Sequence, residues 1–317
     1  MEKREIVVAT QTREILSQVR QIIVGKDEVL QWVLAAMLAK GHILLEDVPG
    51  VGKTTMALAF SKVLNLDYSR VQFTPDVLPS DITGYYIPNR QTGENVYQKG
   101  AILCNLFLAD ELNRATSRTQ SALLEAMEEG QVTVDGANHP LPDPFVVIAT
   151  QNPAGAVGTQ LLPDSQMDRF MVRLSLGYPS AEKEAQMVMD RQAGNPLQTL
   201  TPLLTKEDLT AMQNEVERTY IKDCIVKYIV DLIVATRNSE YIFRGASPRA
   251  TLAVTAMAKA IACIRGRDYV LPGDVQEVFI RTVAHRLLLS SKAEDRRMIP
   301  EQVLSDILRQ VPAPAIY

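Results

Sequence analysis

Cysteine is scarce in this 317-residue chain: three residues, Cys104, Cys224 and Cys263, an odd number set far apart. Their spacing suits neither a metal site nor a disulfide framework, so reduced thiols in a reducing compartment are expected. An excess of charge is also missing. Lys and Arg number 33 against 37 Asp and Glu, a net charge of -4, which disfavours nonspecific binding to nucleic acid or to an anionic membrane surface. No apolar run approaches the length of a membrane span. The first residues, M-E-K-R-E-I-V-V-A-T, hold too few apolar side chains for a secretory leader. Repeats and low-complexity segments are absent as well. A cytoplasmic chain without membrane insertion is expected. What is present is an ordinary globular composition, 46% apolar, in a length that suits two domains.

Short apolar runs alternate with helical periods through the first half. Residues 27–38 carry apolar side chains at 29, 30, 33, 34, 37 and 38, the spacing of a helix that Gly41 should stop. H-I-L-L-E (42–46), R-V-Q-F (70–73), L-F-L-A-D (106–110), F-V-V-I-A-T (145–150) and M-V-R-L-S (171–175) read as buried strands. Residues 54–63 and 117–127 read as helices between them. Such alternation implies a mostly parallel sheet covered on both faces. Beyond Pro179 nearly everything has helical period, with breaks at 194–196, around Gly245 and at 271–274. The expectation is an α/β nucleotide-binding core over 1–178 and an all-α lid over 179–317. Two segments interrupt the core. Residues 74–95 are crowded with Pro, Gly, Asp and Asn, and a loop of that length is usually functional. Residues 131–142 contain the turn pair Asp135-Gly136 and predict a β-hairpin.

The chemistry starts at D-V-P-G-V-G-K-T-T (47–55), a phosphate-loop pattern between a strand and a helix. Pro49, Gly50, Val51, Gly52 and Thr55 would shape the loop so that its N–H groups face phosphate oxygens. Lys53 would reach the β- and γ-phosphates, and the Thr54 hydroxyl would hold Mg2+. Asp110 and Glu111 follow a buried strand, so Asp110 would hold Mg2+ and Glu111 would deprotonate or polarise a water. Solvated loop acids are the bland alternative, weak in this context. Asn152 sits past another core strand, where its amide could orient that water; a plain turn before Pro153 is the local alternative. Arg169 precedes the last core strand and Arg249 opens a helix in the second half. Either guanidinium suits charge on a transferring phosphoryl group, although each taken alone would pass for a surface ion pair.

These elements, in this order, resemble the MoxR family of AAA+ ATPases. The likeness is carried by I-V-G-K-D-E (23–28), Q-F-T-P-D-V-L-P-S-D-I-T-G (72–84), L-A-D-E-L-N-R-A (108–115), T-Q-S-A-L-L-E-A-M-E-E (119–129), A-T-Q-N-P (149–153), L-P-D-S-Q-M-D-R-F (162–170), G-A-S-P-R-A (245–250) and G-R-D-Y-V-L-P-G-D-V (266–275), which span essentially the whole chain. The resemblance implies an ATP- and Mg2+-dependent homo-oligomer, a hexameric ring, with nucleotide between subunits. It places Asn152 as sensor 1, Arg169 as the finger acting on a neighbour's nucleotide, Arg249 as sensor 2, and Val24 and Gly25 beside adenine. Residues 74–95 and 131–142 match the helix-2 insertion and the hairpin before sensor 1, which in related ATPases point to the pore or the client. The family implies remodelling, assembly or maturation of a client protein, often with an adaptor bearing a von Willebrand factor type A domain. The alternative is a nucleic-acid motor or loader akin to MCM-type helicases, against which the acidic balance speaks. Asp47 departs from the family's glycine, Ala101 from its proline and Leu112 from its isoleucine. Only Asp47 touches chemistry. Facing the phosphates it would repel them; an outward, solvent-screened carboxylate is expected.

Overall fold

The computed structural model describes residues 7–91, 93–152, 162–192, 194 and 196–315. Residues 1–6, Thr92 within the segment 74–95, Pro153 after Asn152, and Asn195 within the expected break at 194–196 lie outside the described residues.

Five parallel strands form the central sheet: β1 (Ile43–Glu46), β2 (Tyr68–Gln72), β5 (Leu106–Asp110), β8 (Val146–Gln151) and β9 (Val172–Leu174), in the order β2-β5-β8-β1-β9. Their sequences explain their burial. Along each central strand alternate side chains go to opposite faces. Ile43, Leu45, Leu106, Leu108, Val146, Ile148 and Val172 join one apolar cluster. Leu44, Phe107, Ala109, Val147 and Ala149 join the other. Both faces are therefore covered, which is why these strands read as continuous apolar runs. Truncating Phe107, fully buried, to Ala should cost about 3–5 kcal/mol of stability.

Helices α1 (Val7–Ile22), α2 (Asp27–Leu38) and α3 (Lys53–Val63) lie on the first face; α4 (Pro79–Thr83) and α5 (Ser117–Glu129) lie on the second. Gly41 does not stop α2 by a left-handed turn. Lys40 takes that conformation (φ 55°), and Gly41 is required because a Cβ there would lie 2.5 Å from Met171 Cβ. The interrupting segment at 74–95 is not a bare loop: it holds α4 and opens the hairpin of β3 (Gly84–Pro88) and β4 (Asn95–Lys99). The hairpin expected at 131–142 is present as β6 (Gln131–Val134) and β7 (Ala137–Pro140).

After the short α6 (Asp164–Met167) and β9, the chain is helical: α7 (Ala181–Gln192), α8 (Lys206–Arg218), α9 (Asp223–Asn238), α10 (Pro248–Ile264), α11 (Pro272–Val283), α12 (Ser291–Asp295) and α13 (Pro300–Gln310). A small antiparallel ribbon, β10 (Ile242–Arg244) with β11 (Leu288–Leu289), is inserted among these helices. The helical lid shares the first cluster with α1 and α2, so lid and core are joined by one apolar layer. Gln213 of α8, buried, donates from Nε2 to the Met37 carbonyl of α2 at 2.8 Å. No described helix is long and apolar enough to cross a membrane.

Candidate nucleotide site

The sheet order puts a topological switch at β1, whose neighbours β8 and β9 leave it in opposite directions. Ligands bind outside the carboxyl ends of such strands. The loop after β1 is built for an anion. Gly50 (φ 88°) and Gly52 (φ 98°) are left-handed, and a Cβ on either would meet nothing within 4 Å, so a cradle stands open there. Gly52 caps α3 without any side chain, leaving the positive end of that helix to the cradle. Lys53 is buried and its ammonium donates to the Asp47 carbonyl at 2.8 Å, with Val48 O at 3.4 Å. Burial lowers its pKa, opposed by the carboxylates of Asp47, Asp110 and Glu111.

The two acids stand at the end of β5. A buried threonine sets both: Thr150 Oγ1 donates to Asp110 Oδ1 at 2.7 Å and accepts the Glu111 N–H at 2.8 Å. Asp110 Oδ2 takes Arg70 from β2 at 2.7 Å. Glu111 is held left-handed (φ 58°), and its carboxylate pairs with Arg114 at 2.9 Å. A non-glycine residue in that conformation is strained, and such strain gathers at functional sites. Asn152 lies past β8. Its backbone exchanges bonds with the Asn113 side chain at 3.2 and 3.3 Å, while its own Oδ1 is buried and has no partner among the described residues. An orphaned buried acceptor is what a polar ligand or water would satisfy. Among the described residues no cluster of His, Cys, Asp and Glu could cage a metal alone.

Val24 and Gly25 (φ 75°) form the loop between α1 and α2. It adjoins the start of the lid: Lys26 Nζ donates to Tyr178 O at 2.8 Å, and Lys183 packs beside Gly25.

Asp47 differs from expectation. It is 5% exposed, so it is neither turned to solvent nor screened. Its carboxylate accepts from Ser175 Oγ at 2.7 Å and from the N–H groups of Leu176 and Gly177 at 2.6 and 2.9 Å. The sequence separation of these partners, about 130 residues, hides the interaction from any local pattern. Of the adjacent tyrosines in the first insertion only Tyr85 is exposed, at 49%, while Tyr86 packs against Tyr97 and His139.

The arginines are not with the other site residues. Arg169 pairs with Glu128 at 2.9 Å, and Arg249 pairs with the same Glu128. His42, at the amino end of β1, donates from Nε2 to Met127 O, and its carbonyl accepts from Met171 N–H. Glu128 and Arg169 therefore flank the amino end of the sheet. The loop at Asp47 is five residues further along β1, roughly 16 Å away at strand rise. Lid residues fix the Arg169 turn: buried Arg286 bonds Asp168 Oδ1 at 2.6 Å and the Phe170 carbonyl, and Ser247 Oγ bonds Asp168 Oδ2 at 2.8 Å. Arg70 and Arg286 fall in none of the motifs above; Thr150 and Glu128 lie within A-T-Q-N-P and T-Q-S-A-L-L-E-A-M-E-E, but nothing in those stretches gives either a role.

Residues 42–172 match the model of the ATPase family associated with various cellular activities (AAA), and 234–307 match the AAA lid domain. The chain is 45% identical to the uncharacterised protein YeaC of Bacillus subtilis over 94% of this chain and 93% of that one. It is 40% identical to the chaperone MoxR1 of Mycobacterium tuberculosis, over 94% and 81%. A crystal structure of a candidate ATPase from Cytophaga hutchinsonii superposes with a TM-score of 0.90 at 38% identity, covering 97% and 96% of the two chains. With this cradle, this pair of acids and these relatives, the chain belongs to the MoxR family of AAA+ ATPases.

Proposed function

We propose that this protein hydrolyses ATP in a Mg2+-dependent reaction within a cytoplasmic homo-oligomeric ring, hexameric as in related ATPases, and that the work remodels, assembles or matures a client protein. One observation carries the ring: the phosphate cradle and both acids lie at the carboxyl end of the sheet, while Arg169 and Arg249 meet at its amino end. Arginines so far from their own cradle suit a neighbour's nucleotide, and this favours action in trans for Arg249 as well as for Arg169. The chaperone name of the Mycobacterium tuberculosis relative supports the client reading. An adaptor with a von Willebrand factor type A domain is the partner the family resemblance suggests. Nothing in the site favours a nucleic-acid motor, and the net charge of -4 opposes one.

In this reading Lys53 and the N–H groups of residues 50–55, in the loop that Pro49 opens, hold the phosphates, with Val24 and Gly25 at the base. Bound Mg2+, held by Thr54 and Asp110, would neutralise charge on the phosphate oxygens. The Glu111 carboxylate leaves Arg114 to take a proton from the attacking water, which the Asn152 amide orients. Glu111→Gln should retain ATP binding and lose hydrolysis on the order of 10²-fold or more. Hydrolysis within a few-fold of the parent would reject the role. Lys53→Ala should weaken binding itself. Proteins retained by the ATP-loaded Glu111→Gln form identify the client.

A further inference from the structure

We infer that Asp47 is a positioning residue that latches the phosphate loop to the start of the lid and couples nucleotide occupancy to the joint between the two. The inference rests on the ATPase reading above. Asp47 is a junction of three parts. Its N–H donates to the Gln151 carbonyl at 3.3 Å, one residue before Asn152. Its own carbonyl accepts the Lys53 ammonium at 2.8 Å. Its carboxylate takes three donors from Ser175, Leu176 and Gly177, in the stretch that leads from β9 to α7.

The pocket for that carboxylate is made by backbone. Successive N–H groups at Leu176 and Gly177 converge on it, with Gly177 left-handed (φ 62°), the arrangement of an anion-binding nest. A nest normally receives a phosphate or another anion; here the chain supplies its own. The next residue, Tyr178, accepts Lys26 from the loop carrying Val24 and Gly25. The lid joint is thus held on one side by the phosphate loop and on the other by the base-side loop.

A ligand moves a joint only through contacts that differ between its two positions. Asp47 supplies such a contact. Phosphates that draw the Lys53 ammonium away release the Asp47 carbonyl, and the same residue's carboxylate grips residues 175–177. A glycine, the usual occupant of this position, could form the loop but could not hold the nest.

The test uses the full chain and three variants: Asp47→Gly, Asp47→Asn and Ser175→Ala. Binding of ADP and of a non-hydrolysable ATP analogue, steady-state hydrolysis, and hydrogen exchange with and without nucleotide are measured for each. In the parent, nucleotide should alter exchange both at residues 50–56 and at 175–183. Asp47→Gly should keep nucleotide affinity within about threefold and the response at 50–56, lose the response at 175–183, and lower kcat about tenfold. Asp47→Asn fills the same space but points an amide N–H2 at a backbone N–H, so it should behave like glycine. Ser175→Ala removes one donor of three and should lie between parent and glycine; it also serves if Asp47→Gly proves poorly folded. Rescue by Asp47→Asn would reduce Asp47 to a space-filler and overturn the inference, as would an intact response at 175–183 in the glycine variant. An affinity loss or gain beyond tenfold would instead make it part of the binding site. A parent that neither binds nor hydrolyses ATP would refute the ATPase reading, a result distinct from any of these.

Discussion

At the carboxyl end of the sheet one buried threonine ties the Asp110 carboxylate to the Glu111 backbone. At the amino end two arginines share one half-exposed carboxylate. Thr150, fully buried, donates to the Asp110 carboxylate and accepts the Glu111 N–H, so its loss would leave buried Asp110 short of a partner. Glu128, by contrast, is 39% exposed, and surface pairs of this kind contribute about 0–1 kcal/mol each. Asp110 is preorganised, whereas the Glu128 pairs, like that of Glu111 with exposed Arg114, can let go. In the proposed ring Arg169 and Arg249 would leave Glu128 for a more strongly charged partner, the phosphates of an adjoining subunit, although Arg169 also gives up its bond to the Leu124 carbonyl. The backbone that aims Arg169 is nonetheless rigid, because buried Arg286 of the lid holds Asp168 and Phe170 on either side of it.

The sharpest way to break this contrast is to remove the reserve. Arg169→Ala should leave ATP binding nearly intact and reduce turnover on the order of 10²–10³-fold, the scale of one lost donor to developing charge. Mixing it with Lys53→Ala should restore part of the activity, since an intact arginine on one subunit can meet an intact loop on the next. Mixed rings shown to contain both variants, yet inactive, would refute action in trans.

How far the contrast was legible in sequence depends on which end is considered. The phosphate loop, Asp110, Glu111 and Asn152 follow strands whose both faces are buried, and buried strands announce themselves as apolar runs. The pairing at the amino end did not. Glu128 sits among Glu125 and Glu129 on one helix, and nothing local singles it out. Asp47 could be seen as a departure, but its donors lie at 175–177, and distance along the chain concealed them. Helix α1 was missed because one of its buried positions is Thr12, a polar residue within the apolar face. The β3–β4 hairpin was read as loop because its strands are largely exposed on both faces, so no alternation marks them.

A second, smaller effect separates the buried layer of the amino end from its surface arginines. His42 accepts the Val147 N–H on Nδ1 at 3.0 Å and donates from Nε2, which requires the neutral ring. Burial pushes its pKa down to about 4, against the bond to Met127 O. The unfolded imidazole titrates near 6.5, so as pH falls the unfolded chain takes up the proton first. The stabilisation is complete above the unfolded value and is lost as pH falls towards 4, in all about 3 kcal/mol. Denaturant midpoints between pH 6.5 and 4.5 should therefore fall more steeply in the parent than in His42→Gln. Parallel slopes would show that this ring does not report on the amino end.

The smallest expected effect concerns the two insertions, which belong to neither end of the sheet. Tyr97 and His139 stack with ring centroids 3.6 Å apart, and the Tyr86 hydroxyl lies 3.3 Å from His139 Nε2, so the β3–β4 and β6–β7 hairpins are joined through an aromatic group. Tyr85 faces away from it, exposed. Aromatic pairs of this kind contribute about 0.5–1.5 kcal/mol beyond their buried area. Tyr86→Ala should therefore lower the melting temperature slightly and speed hydrogen exchange across residues 131–140. Tyr85→Ala should leave melting, exchange and basal ATP hydrolysis unchanged and impair only function in cells, where a client must be gripped. Equal exchange at 131–140 in parent and Tyr86→Ala would dissolve the link between the hairpins. A collapse of basal hydrolysis in Tyr85→Ala would move the exposed insertion from the client side of the reaction to its control, and would tie this region to the carboxyl end of the sheet after all.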